Sequence, residues 1–129
     1  MKRKSVPKPT VAELEILQVL WESGPSTVRF INDKLNRKKE VGYTTTLKIM
    51  QIMVDKKLLT RNEEGKSHVY AAAYKEDETQ KVLLDKFLET AFGGSASKLV
   101  MQALGNRRTS KREIEEIRKF LDKIEGEKK

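Results

Sequence analysis

Apolar positions along this 129-residue chain recur with two periods, and the switch between them marks out the elements. Leu14, Leu17, Val19, Leu20 and Trp21 fall largely on one side of a helix. Ahead of them Thr10-Val-Ala-Glu13 matches a capping box, in which the Thr10 hydroxyl and the Glu13 carboxylate satisfy the first free amides. Ser23-Gly24-Pro25 stops that helix, and Ser26 is placed to cap a second one holding Val28, Ile31 and Leu35. Asn36 to Gly42, with Arg37, Lys38 and Lys39, reads as a charged connection. A third helix is expected over Tyr43 to Lys57, its wide apolar face made by Leu47, Ile49, Met50, Met53 and Val54. The period then shortens. Leu58 to Asn62 and Ser67 to Ala73 read as two strands of a β-hairpin around Glu63-Glu-Gly-Lys66.

Three helices followed by a hairpin is the order of a winged helix, with the third helix facing outward and the hairpin beside it as the wing. After Tyr74 the pattern is helical again. Glu76 to Phe92 carries Val82, Leu83, Phe87 and Leu88 and ends at Gly93-Gly94. Ser95 to Leu104 carries Leu99, Val100, Ala103 and Leu104, and Gly105-Asn106 ends it. Ser110 can cap a last helix in which Ile114, Ile117, Phe120, Leu121 and Ile124 repeat at 3-4 spacing. The fold class expected is mainly α with a small β-hairpin wing: a winged helix-turn-helix head plus a C-terminal helical dimerisation tail. The boundaries expected are a flexible basic arm over 1–9, a DNA-binding head over 10–74 and a helical tail over 75–129. Three short amphipathic helices bury little alone, so their stripes need either a matching tail from a second chain or the chain's own head. A two-fold homodimer is the simpler solution.

Charge then narrows the function. The chain carries 27 Lys and Arg against 19 Asp and Glu, net +8. Residues 1–74 hold 14 basic and 8 acidic residues, whereas 75–129 hold 13 and 11, so the surplus sits mainly on the head. Such a field draws polyanions, nucleic acid first and anionic membrane second. There is no cysteine, which excludes disulfides and thiolate metal sites. No apolar run approaches the ~20 residues of a membrane span, and no signal-peptide core follows the basic opening residues. The expectation is a cytoplasmic protein with no membrane insertion.

The most informative segment is Gly42-Tyr-Thr-Thr-Thr-Leu-Lys48. Thr44, Thr45, Lys48 and Gln51 lie opposite Met50 and Met53, and a recognition helix presents its N-terminal turns to the major groove. Short hydroxyls can meet phosphates or base edges there, Lys48 a phosphate or guanine, and Gln51 an adenine. Three consecutive threonines weaken a helix start, which argues that they serve another purpose. Thr46 is expected to turn to the core. Arg61 and Lys66 on the hairpin are placed to reach phosphates, and Arg29, Lys34 and the 37–39 run add charge.

No enzyme is indicated. The single histidine, His68, has no cysteine or second histidine to form a metal set, and there is no phosphate-binding glycine loop or Ser/His/Asp spacing. Neither cofactor nor metal is expected. The rival to a DNA-binding repressor is a winged-helix protein-interaction module, and the basic head and threonine-rich third helix stand against it.

These segments resemble the penicillinase-repressor family of the BlaI/MecI type. The matching text is Pro9 to Trp21, Gly42 to Met50, Glu64 to Tyr70 and Phe87 to Ser95, in unbroken order across about residues 9 to 125. The resemblance implies a homodimeric repressor that binds a pseudo-palindromic double-stranded operator and silences genes for β-lactam resistance or other stress responses. Carried over by position, Thr44, Thr45 and Lys48 would face bases or adjacent phosphates and Lys66 would lie in the wing. Leu99, Val100, Leu104, Ile114, Ile117 and Leu121 would form the dimer interface. Staphylococcal members are released by cleavage of an Asn-Phe bond that depends on a membrane zinc-protease sensor. The corresponding pair here is Gln102-Ala103, so that partner and the β-lactam inducer are left open. Related copper-responsive repressors use a cysteine cluster, which this chain lacks.

Overall fold

A computed structural model describes residues 6–64 and 67–127. In chain order they form α1 (Val11–Ser23), α2 (Val28–Leu35), α3 (Tyr43–Asp55), β1 (Leu59–Glu64), β2 (Ser67–Ala72), α4 (Glu76–Phe92), α5 (Ala96–Gly105) and α6 (Lys111–Glu127). The expected element order, mainly helical with one hairpin, is the one observed. The chain divides into two compact units, Met1–Asp85 and Lys86–Lys129.

In the first unit, α1 opens with the full capping box. Thr10 Oγ1 accepts from the Glu13 N–H, and the Glu13 carboxylate accepts from the Thr10 N–H at 2.8 Å. Its core side is Ile16, Leu17 and Leu20. Gly24 ends the helix at φ 82, ψ −172, a region in which a Cβ is strained. The next helix is capped by Thr27, whose hydroxyl accepts from the Phe30 N–H, and not by Ser26. Ser26 instead forms an antiparallel bridge with Tyr70, exchanging backbone hydrogen bonds of 2.9 and 2.8 Å. One residue between α1 and α2 therefore extends the two-stranded sheet.

The third helix stops at Asp55, two residues short of the expected Lys57. Lys57 turns left-handed at φ 66, its N–H returns to Val54, and the Leu58 N–H returns to Met53 at 2.8 Å. This paired closure satisfies the last carbonyls and drops Leu58 into the core. β1 and β2 pair antiparallel from Leu59↔Ala72 to Glu64↔Ser67. Leu58, Leu59 and Tyr70 join Ile16, Leu17, Leu20, Val28, Ile31, Met50 and Met53 in one buried cluster. Each helix of the head thus contributes one apolar stripe to a shared interior, which the hairpin base closes. The Trp21 indole N–H donates to the Tyr74 carbonyl at 3.1 Å and ties α1 to the chain beyond the hairpin.

Three acids, Glu76, Asp77 and Glu78, occupy the first turn of α4, where they complement the helix dipole. Gly93 and Gly94, both at positive φ, follow its end. In the second unit Ser95 caps α5 and the Ser110 hydroxyl accepts from the Glu113 N–H at the start of α6. Neither α5 nor α6 contains a buried residue.

Candidate nucleic-acid interface

The site is built by the way α3 is seated. Thr46, the third threonine of the run, is 0% exposed, and the Asn32 side-chain amide on α2 donates to its hydroxyl at 2.8 Å. That pair pins the first turn of α3 to α2. Asn32 also donates to the Val41 carbonyl at 3.1 Å. Asn36 clips the same residue from both sides, donating to its carbonyl at 2.9 Å and accepting from its N–H at 3.0 Å. Two asparagines therefore shape the turn that the sequence showed only as a charged connection, and they set where α3 begins.

With Thr46 inward, helix periodicity sends Thr44, Lys48 and Gln51 outward in one stripe, flanked by Thr45; all four are exposed. Gly42 is the N-cap and brings no side chain to the amides of the first turn, so they remain open to an anion. Asp55, also exposed, closes the stripe at its far end. The helix face runs from an anion-favouring start to an anion-repelling finish. Beside the start, the Arg29 guanidinium of α2 stands 5.8 Å from the centre of the Tyr43 ring, a cation–π contact that holds a positive charge next to the α3 N-terminus. Lys34 lies over Phe30 in the same manner at 5.5 Å. The Arg29–Tyr43 contact joins α2 to α3 and exists only in the tertiary structure, whereas Phe30 and Lys34 stand four apart on α2 and meet by helix spacing.

On the hairpin Arg61 is exposed and lies 3.8 Å from the Glu63 carboxylate, which offsets part of its charge. Lys66 lies outside the described residues. His68 is exposed on β2, opposite Glu63 in the ladder.

One further residue on the outward side of α3 was not anticipated. Ile52 is 45% exposed, one turn beyond Lys48 and two beyond Thr45. The signal was present in the sequence, since position 52 falls outside the arc of Met50 and Met53.

A buried charge steadies the back of this assembly. Lys56, at the C-cap of α3, donates to both oxygens of Glu13 at 2.7 and 2.9 Å. Burial pushes the Glu13 carboxyl up, but the Lys56 ammonium and the Thr10 N–H outweigh it and hold its pKa below the ordinary value. The capping carboxylate of α1 is thus also the anchor for the end of α3.

In the second unit the expected interface residues are accessible. Val100, Ile114 and Leu121 are exposed, and Leu99, Leu104 and Ile117 are half-buried. Phe120 and Met101 are exposed as well. Gln102 and Ala103 are exposed within α5. No helix among the described residues is long and apolar enough to cross a membrane.

The family model described as penicillinase repressor matches residues 9–123. Among characterised relatives, the penicillinase repressor of Bacillus licheniformis is 25% identical over 126 residues, covering 98% of each chain. The penicillinase repressor of Staphylococcus aureus is 24% identical over 115 residues, 89% of this chain and 91% of that one. The transcriptional regulator BlaI of Mycobacterium tuberculosis is 24% identical over 116 residues, 88% of this chain and 83% of that one. A MarR family protein from Bacillus stearothermophilus has a similar fold, with a TM-score of 0.52 at 20% identity, covering 94% of this chain and 76% of that one.

Proposed function

The chain belongs to the penicillinase repressor family, and from that premise we propose that it is a DNA-binding transcriptional repressor working as a homodimer on a pseudo-palindromic operator. The observation that carries the reading is the seating of α3. Its first turn is pinned by Asn32 and Thr46, while Thr44, Thr45, Lys48 and Gln51 face outward beyond an N-terminus whose Gly42 cap supplies no side chain. In this reading the helix enters the major groove, Lys48 takes a guanine edge or phosphate, and Gln51 an adenine edge. Arg29, Arg61 and Lys66 add phosphate contacts that position the head without reading sequence. The rival protein-interaction module has no support from a family of repressors.

The homodimer is supported by the apolar side chains that α5 and α6 leave accessible, Val100, Leu121 and their neighbours. Two heads related by a two-fold axis would match an operator with two half-sites. The genes under control would be of the β-lactam-resistance or stress-response kind, and the working compartment the cytoplasm. Release by a membrane sensor protease would require cleavage near Gln102-Ala103, a pair unlike the Asn-Phe bond of staphylococcal members.

The test is selection of bound sequences from a random duplex pool, followed by affinity measurement at fixed salt. A two-fold sequence should emerge, and Lys48→Ala should weaken binding by about 1–3 kcal/mol if it reads a base. A phosphate role would instead lower the salt slope by about one. Recovery of no preferred sequence, or a Lys48→Ala protein unchanged in both affinity and salt slope, refutes the assignment.

A further inference from the structure

We infer that Ile52 reads a thymine methyl group in the operator, supplying an apolar specificity contact beside the polar ones of Thr44, Thr45, Lys48 and Gln51. The inference rests on the DNA-binding reading above and deepens it.

Most large apolar side chains of α3 are spent on the core. Met50 and Met53 are fully buried, and Leu47, Ile49 and Val54 are partly buried against the core of the head. Two are exposed: Tyr43 in the first turn, which stacks under Arg29, and Ile52, 45% exposed on the outward side beyond Lys48. It follows Lys48 by four positions and Thr45 by seven, so the three side chains stand in a row along one edge of the outward face. A β-branched apolar residue in that row gains nothing from water, and helix propensity does not favour it there.

Major-groove edges offer mainly hydrogen-bonding groups, and the thymine C5-methyl is the apolar feature among them. An isoleucine carried into the groove by the helix that presents Lys48 meets that chemistry. It cannot pair with any donor or acceptor, and it would leave the polar edge of a G·C pair desolvated and unsatisfied. The position therefore selects thymine by attraction and disfavours G·C by desolvation.

The experiment uses the full chain and its selected operator, with each thymine replaced in turn by deoxyuridine, which keeps base pairing and removes only the methyl. One thymine in each half-site should prove sensitive, losing about fourfold in affinity on methyl removal, the worth of one buried methyl-sized group. That penalty should vanish in Ile52→Ala, shrink in Ile52→Val, and persist in Thr45→Ser, whose wild-type residue also bears a methyl. The inference is overturned if no thymine methyl matters, or if the penalty survives in Ile52→Ala. Failure of the pool to yield any operator would instead refute the DNA-binding reading, so the two failures are distinct.

Discussion

Asn32 on α2 donates a 2.8 Å side-chain hydrogen bond to the hydroxyl of Thr46 on α3, and both residues are buried. The bond decides which of three consecutive threonines is structural. It leaves the other two, Thr44 and Thr45, to face outward. Replacing Thr46 by valine keeps its shape but removes the acceptor, leaving one amide N–H of Asn32 buried without a partner. Thr46→Val should destabilise the fold by about 1–3 kcal/mol, read as a lower denaturation midpoint in urea, whereas Thr46→Ser should keep most of the stability. Equal midpoints for Thr46→Val and wild type would remove this bond from the account.

The Glu13–Lys56 pair predicts a defined response to acid. The folded-state pKa of Glu13 lies below its unfolded value, so the unfolded chain binds the extra proton. The stabilisation is complete above the unfolded carboxylate value of about 4.3 and fades as pH falls through the folded pKa. The Glu13 side chain is only 5% exposed, but that of Lys56 is 35% exposed, and solvent screens that end. Glu13→Gln should therefore cost only about 1 kcal/mol at neutral pH, with the gap from wild type closing in acid. Urea unfolding of both proteins at stepped pH checks it; a gap that widens toward acid contradicts the pairing.

Lys57 offers a stabilising change. It adopts φ 66 to close α3, a conformation natural to glycine and costly for a side chain. Lys57→Gly relieves that cost, less the entropy that glycine adds to the unfolded chain. A net gain of about 0.5–1 kcal/mol is expected in thermal or urea unfolding. A loss of stability would show that the lysine side chain makes a contribution larger than the backbone strain.

The proposed dimer has a clean disruptive variant. Leu121 is 58% exposed on α6, so an aspartate there opens no cavity in the chain itself. Sedimentation should find wild type as a dimer at tens of micromolar and Leu121→Asp shifted to monomer with its helical content retained. Operator affinity should fall with it, because two linked heads bind more tightly than one. A wild-type monomer at those concentrations would end the homodimer proposal.

Much of this molecule could be read from residue order alone, because local rules suffice for it. Apolar period placed the six helices and the hairpin of the described residues, and the Thr10 to Glu13 box lies within a single turn. The threonine run pointed to the segment that α3 turns outward and that is proposed to meet DNA, and the inward turn expected of Thr46 is the one observed. The placements that failed depend on partners distant in sequence or on one backbone angle. Ser26 had the chemistry of a cap, yet pairing with Tyr70 claimed its backbone and left the cap to Thr27. Lys57 continued the helical pattern, yet burying Leu58 required a left-handed turn before it. The separation of Glu13 and Lys56 by 43 positions hid their ion pair. Periodicity could place Ile52 on the outward arc, but only packing showed that the head leaves nearly half of it accessible. Sequence spacing governs contacts within a turn or two of helix; contacts between elements exist only once a shared core has set their distances.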